Sequence, residues 1–186
     1  MSDTDQKKLE RILMERSVRH GNFILASGKS STVYVDVRLT TMSPEGMALI
    51  GSLALDRILS LEWNPDSVGG LTLGADPVAF AVSFSSANSP RPIRCFTVRK
   101  EAKSHGTGNL IEGPFLSGDR VVVVEDVITT GKSALQAIES IEQAGGQIQG
   151  VLAIVDREDG GREKIESRGF AVTALTTIAN LVSPAV

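Results

Sequence analysis

This chain holds little that could cross-link or build a metal site: among 186 residues there is one cysteine and there are two histidines. A lone Cys95 excludes an intrachain disulfide, and its place in the apolar-leaning run Ile93 to Val98 suits a small core residue better than a nucleophile. No cluster of metal ligands forms around His20 or His105. Long apolar runs are missing as well. The opening segment MSDTDQKKLERILMERSV alternates acid and base without the apolar core of a signal peptide, and no later run approaches a membrane span. The chain therefore reads as cytoplasmic, with no membrane partner. Nor is there an excess of one charge: a net charge of -3 argues against broad nucleic-acid binding. The length suits one well-filled domain, residues 1–186, and excludes a fused second enzyme. Internal repeats, low-complexity tracts and interdomain linkers are absent, while 41% hydrophobic and 22% charged residues are ordinary for a globular protein.

What is present is concentrated in Val121 to Ser133, VVVVEDVITTGKS. Four β-branched residues suit a strand buried on both faces, and its end is where an open α/β sheet places a ligand. From Ser133 to Ala144 the spacing of Ala134, Leu135, Ile138 and Ile141 predicts a helix, stopped by Gly145-Gly146. The turn between them, Thr129, Thr130, Gly131, Lys132 and Ser133, offers successive backbone amides and three hydroxyls at a helix N-terminus, a place for a monoester phosphate. Glu125 and Asp126 precede it. Two carboxylates beside a phosphate repel it unless something hydroxyl-rich or a metal lies between, and ribose hydroxyls meet that need. Gly131-Lys132-Ser133 ends like a Walker A loop, but that pattern requires glycine where this chain has Asp126. The bland alternative, a buried strand with a polar turn, leaves the costly acid pair without a task.

Elsewhere, Leu9, Ile12, Leu13 and Arg16 predict a surface helix from Thr4 to about Arg19. Ser43-Pro44-Glu45 reads as a capped helix start. Strands are expected at Ser67 to Leu73, Ile93 to Val98, Val121 to Glu125, Gly150 to Val155 and Ala171 to Thr177, with a helix from Pro77 to about Ser86 and a further strand or edge segment in Val33 to Leu39. This alternation implies an α/β fold with a mainly parallel sheet and crossover helices. Between two of the strands lies RKEAKSHGTG, residues 99 to 108, whose cations lack the periodicity of a core segment. It reads as a mobile, anion-seeking loop, against the alternative of a solvated charged hairpin.

The segment from Val121 to Ser133 resembles the ribose-phosphate signature of the type I phosphoribosyltransferases, which bind phosphoribosyl pyrophosphate (PRPP). RKEAKSHGTG followed by Asn109-Leu110-Ile111-Glu112-Gly113 is similar to the catalytic loop of the orotate phosphoribosyltransferase family, and FILASGKSSTVYVD, GGLTLGADPVA and Asp156-Arg157-Glu158 agree with it. The resemblance spans nearly the whole chain. It implies the type I phosphoribosyltransferase fold, a mainly parallel central sheet flanked by helices. A small hood from about residues 1–40 and the C-terminal segment, and a flexible catalytic loop, complete that fold. It also implies transfer of the phosphoribosyl group from PRPP to orotate, with Mg²⁺, in a homodimer with shared active sites.

By the same resemblance Lys103, His105 and Asp126 are catalytic, and Arg99, Lys100, Lys103 and His105 hold pyrophosphate. Glu125 and Asp126 take the ribose hydroxyls. Val127, Ile128, Thr129, Thr130, Gly131, Lys132 and Ser133 complete the PRPP site, with no direct protein ligand to the metal. Thr129 and Arg157 face orotate, with a surface ion pair between Arg157 and the flanking Asp156 or Glu158 as the weaker alternative. Gly74-Ala75-Asp76-Pro77 matches the family's pyrophosphate loop, and a plain strand-to-helix turn accounts for the same letters. The chain departs from many relatives at Ala26 and Gly74, where they carry lysine, and at Glu125, where aspartate is commoner. Two rivals stand beside this reading: a phosphoribosyltransferase for uracil or a purine, and a regulator that binds PRPP without turnover.

Overall fold

The computed structural model describes residues 3–24, 30–101 and 110–182. Helix α1 (Asp3–Arg16) stops earlier than its periodicity suggests. Ser17 is fully buried, its hydroxyl paired with that of Thr40 at 2.7 Å, and Val18 already faces Val35 across an antiparallel hairpin. That hairpin is β1 (Val18–Ile24) with β2 (Ser30–Val35). β1 is mostly exposed and carries no apolar alternation, which is why no strand was expected there. The segment Val33 to Leu39 divides between the end of β2 and a short helix, α2 (Arg38–Thr41). Helix α3 (Pro44–Ser60) starts as its letters indicate, with the Ser43 hydroxyl accepting from the amide of Gly46.

The remaining strands are β3 (Ser67–Leu71), β4 (Arg94–Val98), β5 (Ile111–Glu112), β6 (Arg120–Ile128), β7 (Gln147–Asp156) and β8 (Val172–Thr177). They form one sheet in the order β5-β4-β3-β6-β7-β8, parallel throughout except for the short edge strand β5. Between them run α4 (Ala75–Ser86), α5 (Lys132–Gln143) and α6 (Gly161–Glu166), and α7 (Ile178–Val182) follows β8. Residues successive along β6 serve opposite layers, as the period of two requires. Val122 and Val124 join Leu152 and Ile154 in a core with α1, α3 and α4, whereas Val121 and Val123 join Val151 and Ala153 beneath α5 and α6. Cys95 is half-buried and packs against the first of these cores.

Three differences from the sequence expectations bear on function. β6 continues to Ile128, so Asp126, Val127 and Ile128 belong to the strand and not to the turn. β3 ends at Leu71, two residues early, and α4 begins at Ala75, ahead of Pro77. The chain leaves β3 on one side to form α4 and β4, then returns to place β6 on the other side. The carboxyl ends of β3 and β6 thus flank a topological switch point, the crevice where doubly wound sheets bind ligands.

Candidate active site

A cleft of about 990 Å³ opens at that switch point. Its floor is the end of β6 with the turn Thr129 to Ser133; its walls are the turn Thr72 to Gly74, the hairpin-side residues Tyr34 to Arg38, and Arg157.

Glu125 and Asp126 are the chemical centre. Alternation along β6 turns them to opposite faces of the strand, yet both border the cleft. Glu125 is only 5% exposed, and its Oε1 is buried with no hydrogen-bond partner. Burial, reinforced by the charge of Asp126, holds its carboxyl well above the usual carboxylate range. Burial also raises Asp126, opposed by the amide of Val127, which donates to its Oδ1 at 2.8 Å, and by the charge of Arg38. An acid pair so placed lacks donors that a polyhydroxyl ligand would supply.

Beyond β6, Gly131 adopts φ +70°, a left-handed conformation that turns the chain into α5. A Cβ on Gly131 would stand 2.7 Å from the carbonyl oxygen of Gly161, so both conformation and space require glycine. No side chain caps α5, and its first amides face the cleft lined by Thr129, Thr130, Lys132 and Ser133. An uncapped helix N-terminus of this kind favours an anion.

Arg157 is brought beside the same turn because its amide donates to the carbonyl of Ile128 at 2.9 Å. The preceding residue fixes the bend: Asp156, 2% exposed, accepts from the amide of Glu158 at 2.9 Å and from Arg162 Nε at 2.7 Å. The Arg157 side chain is 9% exposed, with Nε 3.4 Å from Asp159 Oδ2 but outside hydrogen-bonding geometry. Arg157 lines the cleft wall, and its ion-pair partner is Asp159, not the Asp156 or Glu158 that flank it in sequence.

Of the residues expected at the site, Lys100, Glu125, Asp126, Val127, Ile128, Thr129, Thr130, Gly131, Lys132, Ser133 and Arg157 all line the cleft. Arg99 is placed elsewhere, its guanidinium 3.4 Å from Glu112. Lys103 and His105, like Ala26, lie outside the described residues. Two charged cleft residues had no role assigned from sequence: Asp36, and Arg38, whose guanidinium reaches both oxygens of Asp36 at 2.8 and 3.0 Å. That pairing holds the Asp36 carboxyl below its usual range. Their signal was available in the alternation of Val35 and Val37 with the opposite charges of Asp36 and Arg38.

Among the described residues no group of three or more His, Cys, Asp or Glu side chains is arranged to hold a metal ion, and no helix is long and apolar enough to cross a membrane.

No family model matches the chain. It is 46% identical over 181 residues to the orotate phosphoribosyltransferase of Aquifex aeolicus, covering 96% of this chain and 98% of that one. Among solved structures it is similar to Mycobacterium tuberculosis orotate phosphoribosyltransferase in complex with Fe(III) dicitrate, with TM-score 0.83, 44% identity, and coverage of 96% and 99%. The complex of the M. tuberculosis enzyme with PRPP matches with TM-score 0.77 and 38% identity, covering 97% of this chain and 93% of that one.

Proposed function

The chain belongs to the orotate phosphoribosyltransferase family, and from that premise we propose how its residues carry out the family's reaction. The enzyme transfers the phosphoribosyl group of PRPP to orotate in pyrimidine biosynthesis. Orotate N1 forms a bond to C1′ as the bond from C1′ to pyrophosphate breaks, giving orotidine 5′-monophosphate and pyrophosphate. The observation that carries the residue assignment is the buried Glu125 and half-buried Asp126 near the end of β6, in one cleft with the uncapped N-terminus of α5 and with Arg157.

The 5′-phosphate sits on the amides and hydroxyls of Thr129, Thr130, Gly131, Lys132 and Ser133. The 2′- and 3′-hydroxyls donate to Glu125 and Asp126, which supplies the partner that Glu125 Oε1 lacks. As pyrophosphate departs, ribose acquires oxocarbenium character, and these carboxylates stabilise it. Arg157 pairs with the orotate carboxylate, and Thr129 adds a hydrogen bond. Negative charge gathering on pyrophosphate is met by Lys100 together with Lys103 and His105 of the basic loop; loss of one such donor costs about 2.7–4 kcal/mol of barrier.

The donor set fits Mg²⁺ carried in on the substrate. Glu125 Oε1 is an unpartnered oxygen acceptor in the cleft, and among the described residues no group of three or more ligating side chains is arranged as a cage for a resident ion. The ion would neutralise pyrophosphate charge as it develops.

A homodimer completes this reading, with the basic loop serving a neighbouring site. Phe80 and Phe84, one turn apart on α4, are 48% and 84% exposed, and Leu73 in the cleft wall is 59% exposed. Apolar surface of this kind suits burial against a second copy. The hairpin β1–β2 with α1 and α7 forms the hood of a single domain.

The test is loss of orotate absorbance on adding PRPP and Mg²⁺, with uracil, adenine and hypoxanthine in parallel. Orotate-dependent, Mg²⁺-requiring turnover is expected. Turnover with another base alone would keep the phosphoribosyl chemistry and overturn the role of Arg157; PRPP binding with no turnover would make the protein a regulator.

A further inference from the structure

Gly74 is a glycine for which the backbone gives no reason. Its φ and ψ are −63° and −41°, right-handed helical values that any L-residue adopts, and it caps no helix through a side chain. The reason lies in space. A Cβ built on Gly74 would stand 2.5 Å from Asp126 Oδ1 and 2.6 Å from both its Cγ and its Oδ2, closer than real Cβ atoms come to anything. The whole carboxylate of Asp126 therefore lies in the volume that any other residue at position 74 would fill.

Asp126 has few alternatives to that position. Its Oδ1 accepts the amide of Val127 at 2.8 Å, and it is held in a largely buried site at the end of β6. On the cleft side, the charges that act on it are those of Arg38 and Asp36, themselves tied to each other. The turn Thr72 to Gly74 is also fixed on its far side, where the Thr72 hydroxyl donates to Asp76 Oδ2 at 2.7 Å. A methyl group at position 74 would consequently turn the carboxylate away, since the short Asp126 side chain moves more readily than two backbone segments.

We propose that Gly74 is a positioning residue for Asp126: its missing side chain lets the carboxylate face the ribose. This inference rests on Asp126 being a ribose ligand.

The test is Gly74→Ala, Asp126→Ala and the double variant, each assayed for turnover and, by calorimetry, for PRPP affinity in the presence of Mg²⁺. A displacement of about 1 Å at a reacting group costs on the order of a hundredfold in rate. Gly74→Ala is expected to lower kcat by that amount, with KM for orotate changed less than about twofold and a cooperative unfolding transition retained. In the double variant the space is already clear, so adding Gly74→Ala to Asp126→Ala is expected to leave PRPP affinity where Asp126→Ala alone puts it. Full activity of Gly74→Ala would overturn the proposal. So would losses in PRPP affinity that multiply in the double variant, because Gly74 would then act independently of Asp126. Wild-type PRPP affinity and turnover in Asp126→Ala would instead remove the ribose reading itself, a result separable from either of the others.

Discussion

Replacing Glu125 by glutamine is expected to make the protein more stable and the enzyme worse. Glu125 is 5% exposed and its Oε1 has no hydrogen-bond partner. Burial first, and the charge of Asp126 second, keep its carboxyl protonated to higher pH in the folded chain than the ordinary 4.5. The folded state thus binds the proton more tightly than the unfolded state, so stability is greatest at low pH. It falls as pH rises from the ordinary value towards the folded-state value, by about 1.4 kcal/mol per pH unit for one group within that window. Asp126 is displaced in the same direction, so the wild-type slope contains both acids. The difference between wild type and Glu125→Gln isolates Glu125.

At about pH 8, where the wild type must bury a charge that the neutral amide does not carry, the variant should be the more stable by on the order of 1–3 kcal/mol. In a chain of this size each kcal/mol moves the melting temperature by about 2–4 °C. Thermal melts of both proteins from about pH 5 to pH 9, without substrate, should show curves that separate progressively as pH rises, with the variant above. PRPP affinity should fall on the order of tenfold to a hundredfold, the worth of a charge-assisted hydrogen bond. A variant that melts below wild type at the alkaline end, or curves that stay parallel across the range, would refute the claim that Glu125 is held at a cost. Unchanged PRPP affinity would refute its assignment to ribose.

Arg157→Ala should raise KM for orotate by roughly tenfold to a hundredfold, while PRPP affinity measured calorimetrically stays within about twofold; a loss confined to PRPP would move Arg157 out of the base site. Asp119→Ala should destabilise the fold by about 3 kcal/mol in urea titrations, because Asp119 is 6% exposed and accepts from Ser67 Oγ, Arg94 and the amide of Leu116. Its kinetic constants should remain those of wild type, since it precedes β6 at the end of the sheet away from the cleft. Mixing inactive Lys103→Ala with inactive Asp126→Ala subunits should recover activity in mixed dimers; none recovered would place the basic loop and the acid pair in one subunit's site.

The central strand and its turn were legible because local and global requirements coincide there. An unbroken β-branched run is what a strand covered on both faces needs, and the glycine-and-hydroxyl turn after it is what an uncapped helix start needs. Strand ends were less legible. Glu125 and Asp126 interrupt the apolar run, and pairing of Val127 and Ile128 with Val155 and Asp156 of β7 extends β6 past them. Strand β1 is illegible for the opposite reason: pairing with β2 stabilises a polar, exposed segment whose sequence has no period of two.

Site residues divide in the same manner. Those on one continuous segment, Glu125 to Ser133, could be taken together from spacing alone, whereas Arg38 reaches the cleft only through the fold of a hairpin distant in sequence. Arg157 shows why flanking charge misleads. Asp156 and Glu158 suggest a surface ion pair, yet the Asp156 carboxylate is spent on the amide of Glu158 and on Arg162, and that bend is what turns Arg157 inward. Gly74 carries the point furthest. A glycine before a helix is ordinary in sequence and its backbone angles are ordinary in structure, so neither alone assigns it a role. Only the position of a carboxylate 52 residues later, within 2.6 Å of where a side chain would begin, does so. Spatial exclusion between segments leaves no periodicity and no local motif, and a site held by it becomes visible only when the atoms that would collide are placed.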